Sequence, residues 1–108
     1  MTESSTYRVF LKPEVDRIGR KLPGMMRQRI RRMIDELAEN PRPHNSIAMQ
    51  TSKPLNVEPR RIRVDDWRIL YVIDETWQEV SVIAIRQRPP YDYEDLVELL
   101  AEFETSDD

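Results

Sequence analysis

Arg60–Asp74, RRIRVDDWRILYVID, followed by Val80–Arg88, VSVIAIRQR, decides how this chain folds. Apolar and polar residues alternate there at the two-residue period of a half-buried strand. Ile62, Val64, Trp67, Ile69, Tyr71 and Ile73 are mainly β-branched or aromatic, as strands prefer. The stretch predicts strands at about 60–65, 67–74 and 79–87. Asp65-Asp66 and Glu75–Gln78 are connections short enough for antiparallel hairpins. Arg61, Arg63 and Arg68 punctuate the first two strands, and Arg86 and Arg88 end the third. Five guanidiniums on one sheet repel each other, and a core has no use for them. They read as a surface for phosphates, because arginine is always charged and offers forked donors.

Upstream, Tyr7–Leu11 (YRVFL) reads as a short first strand and Glu14–Lys21 as a short helix entered at Pro13 and broken by Pro23-Gly24. Residues 25–39 carry Met26, Ile30, Met33, Ile34 and Leu37 at helical spacings, and Asn40-Pro41 ends that helix. Residues 40–59 hold four prolines and read as a long loop, with a short strand near Leu55–Val57. Downstream, Tyr93–Phe103 places Leu96, Leu99, Leu100 and Phe103 on one side of a helix, leaving Glu94, Asp95, Glu98 and Glu102 outward. The expected fold is α+β: an antiparallel sheet of about four strands packed against an N-terminal helical hairpin, with a C-terminal helix. Ile30, Ile34, Leu37, Ile69, Tyr71 and Ile85 are expected to share one core.

Composition sets outer limits. The 108 residues suit one domain, 1–108, with a flexible N-terminus over 1–6 and an acidic helix and tail over 94–108. No run approaches the roughly 20 apolar residues of a membrane span, and the first residues lack the pattern of a signal peptide. The absence of cysteine removes disulfides and thiolate metal sites, and a reducing cytoplasm is the expected setting. The single histidine, His44, leaves no basis for a histidine metal site or a serine–histidine triad. No metal or cofactor is therefore expected. The net charge of −3 hides an asymmetry. Residues 1–93 hold 17 basic against 13 acidic residues, whereas 94–108 hold seven acids and no base. A mildly basic body with an acidic tail points to an anionic partner for the body, or to a tail that only solubilises.

The assembled pattern resembles the RelE/ParE family of bacterial toxins from type II toxin–antitoxin systems, over roughly residues 7–91. The likeness rests on YRVFLKPEV, on the arginine-rich helix leaving through PRP, on RIRVDDWRILYVID, and on IRQR followed by tyrosines. It implies a sheet on two helices and a C-terminal helix that bound antitoxin often blocks or displaces. The RelE-type branch cuts mRNA in the ribosomal A site. The resemblance thus implies a ribosome-dependent mRNA endonuclease whose partners are a cognate antitoxin, mRNA and rRNA. The alternatives are a ParE-type gyrase inhibitor and a non-catalytic member that binds antitoxin only.

On that resemblance Arg61 and Arg63 match a pair of basic residues on one strand, Arg68 an arginine on the next, and Arg88 a late arginine, with Arg86 close behind. Tyr91 or Tyr93 matches a late tyrosine, and Tyr91 is nearer Arg88 in sequence. RNA can be cleaved without metal by attack of its own 2′-hydroxyl on the adjacent phosphorus. Preorganised guanidiniums would stabilise the charge that develops. Arginine seldom gives up a proton, which leaves a tyrosine as acid or base. A tyrosine flanked by arginines is expected to ionise more readily than usual. Arg86, Tyr93, Arg27 and Arg31 are candidate RNA contacts. Arg27 and Arg31 read equally as a solvated helix face, and Trp67 and Tyr71 as sheet packing, since they share a face with Ile69 and Ile73.

Overall fold

The computed structural model describes residues 6–105; the sequence-based expectation for the first residues, and the end of the acidic tail, fall mostly outside that range. Five strands form one sheet in the order β1-β5-β4-β3-β2. They are β1 (Arg8–Leu11), β2 (Ser46–Ala48), β3 (Glu58–Val64), β4 (Trp67–Asp74) and β5 (Glu79–Gln87). Helices α1 (Pro13–Arg20) and α2 (Gly24–Glu36) follow β1. A short α3 (Leu96–Leu100) continues into a 3₁₀ turn at Ala101–Phe103. No helix among the described residues is long and apolar enough to cross a membrane.

The helical hairpin follows from its punctuation. Pro13 opens α1, Glu14 and Asp16 sit in its first turn and Arg17 and Arg20 in its last, matching the helix dipole. Pro23 precedes α2, and the stripe Ile30, Ile34 and Leu37 is buried. This stripe joins Val15 and Leu22 against Ile62, Val64, Ile69, Tyr71, Ile73, Val80, Val82 and Ile85 from the sheet. All six residues expected to share a core do so, and Trp67 packs at its margin. Burial of each large aliphatic here contributes roughly 1.5–3 kcal/mol.

Three expectations need correction. The sheet has five strands and is not purely antiparallel: β1 pairs parallel with β5. Nothing local in YRVFL reveals its direction, because its partner lies some seventy residues on. The extra strand is β2, antiparallel to β3, while Leu55 makes only a single bridge, to Glu104. The C-terminal helix is shorter than Tyr93–Phe103, because Tyr93 has φ of 68°, which no right-handed helix accepts.

Nor are the central strands half-buried. Leu70 and Val72 of β4 face away from the helices yet are buried. They meet Ile83, Ala84 and Leu100, with Leu55, Val57, Leu96, Leu99 and Phe103 packed around them. The C-terminal segment therefore straps the second face of the sheet. Its far end is tied down where Asn56 N–H donates to Phe103 O at 2.9 Å and Thr105 N–H to Pro54 O at 3.0 Å.

The β4–β5 register contains one irregularity. Leu70 pairs with Ala84, but Tyr71 pairs with Val82, leaving Ile83 as an extra residue. This β-bulge changes which side of β5 each later residue faces. Val80 and Val82 point to the helices; Ile83 and Ala84 both point to the strap; Ile85 points to the helices again.

The loop leaving α2 is pinned from two sides. The Tyr71 hydroxyl, fully buried, donates to Pro41 O at 2.7 Å. Arg42 bridges Glu58 at 2.7 Å and Glu75 at 2.6 Å. Replacing Tyr71 by Phe would leave the Pro41 carbonyl without that donor. The expected loss is ~1–2 kcal/mol, read as a lower urea midpoint at unchanged slope. Acid should loosen the same corner. The Arg42 hydrogen bond holds the Glu58 carboxyl below its ordinary value, and hydrogen bonds from Tyr7 and Arg42 do so for Glu75. Their contribution is complete above the ordinary glutamate value of about 4.3 and is lost as pH falls through the lowered folded values. Arg42→Ala should flatten that acid limb in a pH series of denaturation midpoints.

Candidate functional site

Arg61, Arg63, Arg68, Arg86 and Arg88 all lie on the strap side. Ile62 and Val64 of β3 face the helices, so Arg61 and Arg63 face away. On β4 the same alternation turns Arg68 away beside Leu70. On β5 the result depends on the bulge. In a regular strand of this sequence, with no bulge, Arg86 and Arg88 would share the side of Val80 and Val82 and point towards the helical core. With it they join the others.

Register sets the arginines in a line. Arg63 is directly opposite Arg68, and Arg68 directly opposite Arg86. Like charges so placed are destabilising, and the chain answers in two ways. Arg86 is drawn aside: its guanidinium pairs with Asp95 at 3.1 Å and lies 5.7 Å from the Tyr91 ring. Arg63 and Arg68 stay, each donating to the carbonyl of Asp65 in the hairpin turn, at 3.2 and 3.1 Å. Asp65 has φ of 54°, a left-handed conformation that aspartate tolerates, and its carboxylate pairs with Arg29 at 2.7 Å. Two guanidiniums thereby converge on one turn oxygen.

Arg61, Arg63, Arg68 and Arg88 line a single cavity of about 200 Å³ together with Asn45 and Ile47. Among the described residues, none of these four arginines forms an ion pair with a carboxylate, whereas Arg8, Arg20, Arg29, Arg42, Arg60 and Arg86 all do. The cavity thus offers many N–H donors and uncompensated positive charge, the chemistry of a phosphate or carboxylate site.

The two tyrosines divide between two environments. Tyr93 is the one beside the cavity arginines: the guanidiniums of Arg61 and Arg88 each lie 5.2 Å from its ring centre. Its hydroxyl is buried without a hydrogen-bond partner among the described residues. Tyr91 packs against Tyr93, ring centres 4.8 Å apart, but belongs with Arg86 and Asp95. Its hydroxyl donates to Asp95 Oδ1 at 2.6 Å. Tyr91, though nearer Arg88 in sequence, is engaged with Arg86 and Asp95, whereas the Tyr93 ring is the one beside Arg88. The expected direction of ionisation also reverses at Tyr91. Burial and the Asp95 carboxylate push its phenol well above the ordinary tyrosine value, overcoming Arg86. Asp95 itself is turned inward rather than outward. Burial works against its charge, yet hydrogen bonds from Tyr91 and Arg86 leave the carboxyl below its ordinary value.

Arg27 and Arg31 stand apart. They border a recess between α1 and α2, on the opposite side of the sheet, with Val15, Leu22, Ile30, Ile34 and Ile85 at its base. Arg27 also donates to Arg20 O at 3.3 Å. Three side chains that matter to the site escaped sequence reasoning. Asn45 and Ile47 sit in a proline-rich stretch without periodicity, and Asp95 reads as one more tail acid. Among the described residues no cluster of three or more His, Cys, Asp or Glu could hold a metal ion.

Solved structures with this architecture include the RelE–RelB complex of the archaeon Pyrococcus horikoshii OT3, with a TM-score of 0.70 and 21% identity over 80% of this chain and 99% of that one. The toxin–antitoxin complex RelBE2 of Mycobacterium tuberculosis has a TM-score of 0.62 and 19% identity, over 77% and 99%. The free E. coli toxin RelE, in a form carrying two arginine-to-alanine replacements, has a TM-score of 0.61 and 17% identity, over 90% and 96%. The chain therefore has the RelE fold. No protein-family model and no curated protein matches its sequence.

The Asp95 arrangement can be tested without knowing the ligand. Asp95→Asn keeps an acceptor for Tyr91 but removes the charge that opposes its ionisation. In an ultraviolet titration the most resistant tyrosine should then ionise at lower pH than in the wild type. An unchanged profile would mean that burial alone governs Tyr91.

Proposed function

We propose that this chain is the toxin of a type II toxin–antitoxin pair, and that the four-arginine cavity binds and cleaves mRNA in the ribosomal A site. The observation that carries this reading is the convergence of Arg61, Arg63, Arg68 and Arg88, without carboxylate partners, on a fold found in RelE toxins. The cognate partner is an antitoxin, as in the neighbours solved as toxin–antitoxin complexes.

In this reading the scissile phosphate sits among the guanidiniums. The adjacent 2′-hydroxyl attacks phosphorus, its proton passing to water, and the bond from phosphorus to the 5′-oxygen breaks. The products are a 2′,3′-cyclic phosphate and a 5′-hydroxyl. The arginines stabilise the extra charge of the five-coordinate state, where preorganised donors contribute most. The proposed acid for the departing 5′-oxygen is the phenol of Tyr93, whose ring centre lies 5.2 Å from the guanidiniums of Arg61 and Arg88 and whose hydroxyl has no hydrogen-bond partner among the described residues. The mutual repulsion of the arginines in the free protein is relieved on binding, which adds to affinity and makes it salt-dependent.

One observation favours a second reading. Arg86 and Tyr91 are engaged with Asp95 and so withheld from the cavity. A cavity lacking them could hold an anionic partner without cutting RNA, as in a gyrase-directed or purely antitoxin-binding protein. Toeprinting on programmed ribosomes separates the two. Wild-type protein should cut A-site mRNA, and Arg68→Ala and Arg88→Ala should each slow cleavage by ~10²-fold while weakening ribosome binding far less. Intact mRNA with wild-type protein would end the nuclease reading. Arrest of gyrase supercoiling in its place would establish the alternative.

A further inference from the structure

Guanidiniums hold a phosphate but carry no information about the base attached to it. Two of the six residues lining the cavity are not arginines, and both come from its β2 side: Asn45 and Ile47. Ile47 lies directly opposite Arg61 across the β2–β3 pair, on the same side of the sheet. Asn45 precedes the β2 strand, so the same register carries it to the level of Arg63, the next cavity arginine along β3.

Neither residue serves the core. Ile47 is 55% exposed and belongs to neither hydrophobic cluster. Asn45 is exposed at the edge of the sheet; its amide nitrogen donates to the Met33 sulfur of α2 at 3.8 Å, a weak bond, and among the described residues its side-chain oxygen accepts no hydrogen bond. The cavity, about 200 Å³, is smaller than the roughly 300 Å³ at which small-molecule sites begin. It can take a phosphate and part of its ribose, so the base must lie over the rim. One rim is the edge formed by Asn45 and Ile47; the Tyr93 ring lies beside Arg61 and Arg88.

We propose that Asn45 and Ile47 form a ledge that reads the nucleobase next to the bound phosphate. This inference rests on the RNA-binding reading above and adds the specificity determinants. Ile47 gives the base an apolar seat that excludes water. Turned from its weak bond to Met33 towards the cavity, the Asn45 amide offers one donor and one acceptor side by side, the pair that matches the N6 and N7 edge of adenine. Unpaired bases in single-stranded RNA are recognised by such edge contacts. The ledge therefore favours adenine.

Fluorescence anisotropy with the full chain tests this, using single-stranded RNAs of about six nucleotides, a common site size, methylated at every 2′-oxygen to block cleavage. The set differs at one central position: adenine, uracil, cytosine or an abasic residue. Wild-type protein should bind the adenine RNA ~10-fold more tightly than the abasic one. Asn45→Ala should bring adenine to the level of uracil and cytosine. Ile47→Ala should bring all three bases toward the abasic affinity, with Ile47→Val between. Neither should change abasic binding by more than ~2-fold, since both residues are exposed and the arginines remain. Equal wild-type affinity for all four RNAs, or an adenine preference that survives Asn45→Ala, would overturn the ledge. Arg61→Ala and Arg88→Ala should weaken all four RNAs together. If they weaken none, the RNA-binding reading itself falls and the ledge with it.

Discussion

The single extra residue in β5 is the constraint on which the working surface depends. A strand alternates its side chains with a strict period of two, so one insertion reverses everything beyond it. Up to Val82 the even-numbered residues of β5 feed the helical core; after Ile83 they face the strap. Ile85 then completes the core while Arg86 and Arg88 emerge beside Arg61, Arg63 and Arg68. A straight β5 would bury two guanidiniums among aliphatic side chains, at a cost of several kcal/mol per charge. The bulge is therefore as much an electrostatic necessity as a feature of backbone geometry.

The face so created has two halves. Near the hairpin at Asp65 it is cationic and open. Away from it, Leu70, Val72, Ile83 and Ala84 make it apolar, and α3 with its 3₁₀ turn covers that part. The same C-terminal segment serves both halves. Its leucines seal the apolar side, and its leading residues, Tyr91, Tyr93 and Asp95, reach the arginines. The short helix is held at one end by pairing with residues 54–56 and at the other by Asp95. Its position is thus tied to the arginines through Asp95 as well as to the sheet through the buried Leu100.

Asp95 helps explain how three arginines in register, Arg63, Arg68 and Arg86, can coexist. It removes Arg86 from the row, and the Asp65 carbonyl absorbs part of the field of Arg63 and Arg68. Four guanidiniums are left without a counter-charge among the described residues. A protein that only needed to be stable would not keep them, and the repulsion they store is available to an anionic ligand. Among the described residues the tail's acids form no ion pair with them: Glu102 pairs with Lys12 and Glu104 with Lys53.

Periodicity and punctuation by themselves determined the helical hairpin, the three consecutive strands from β3 to β5, and the core residues Ile30, Ile34, Leu37, Ile69, Tyr71 and Ile85. These are local properties: a helix or strand shows its buried side in the spacing of its apolar residues. Grouping Arg61 with Arg63 was equally legible, since residues two apart on a strand share a face. The direction of β1, the strand at Ser46–Ala48, the bulge at Ile83 and the different surroundings of Tyr91 and Tyr93 were decided only by tertiary structure. Each depends on a partner distant in sequence, or on a backbone irregularity that apolar run VSVIAI does not reveal. The Asp95 link is of the same kind. An acid in an acidic tail looks solvated until the fold sets it between a guanidinium and a phenol, and there burial and charge give it a role that no spacing rule contains.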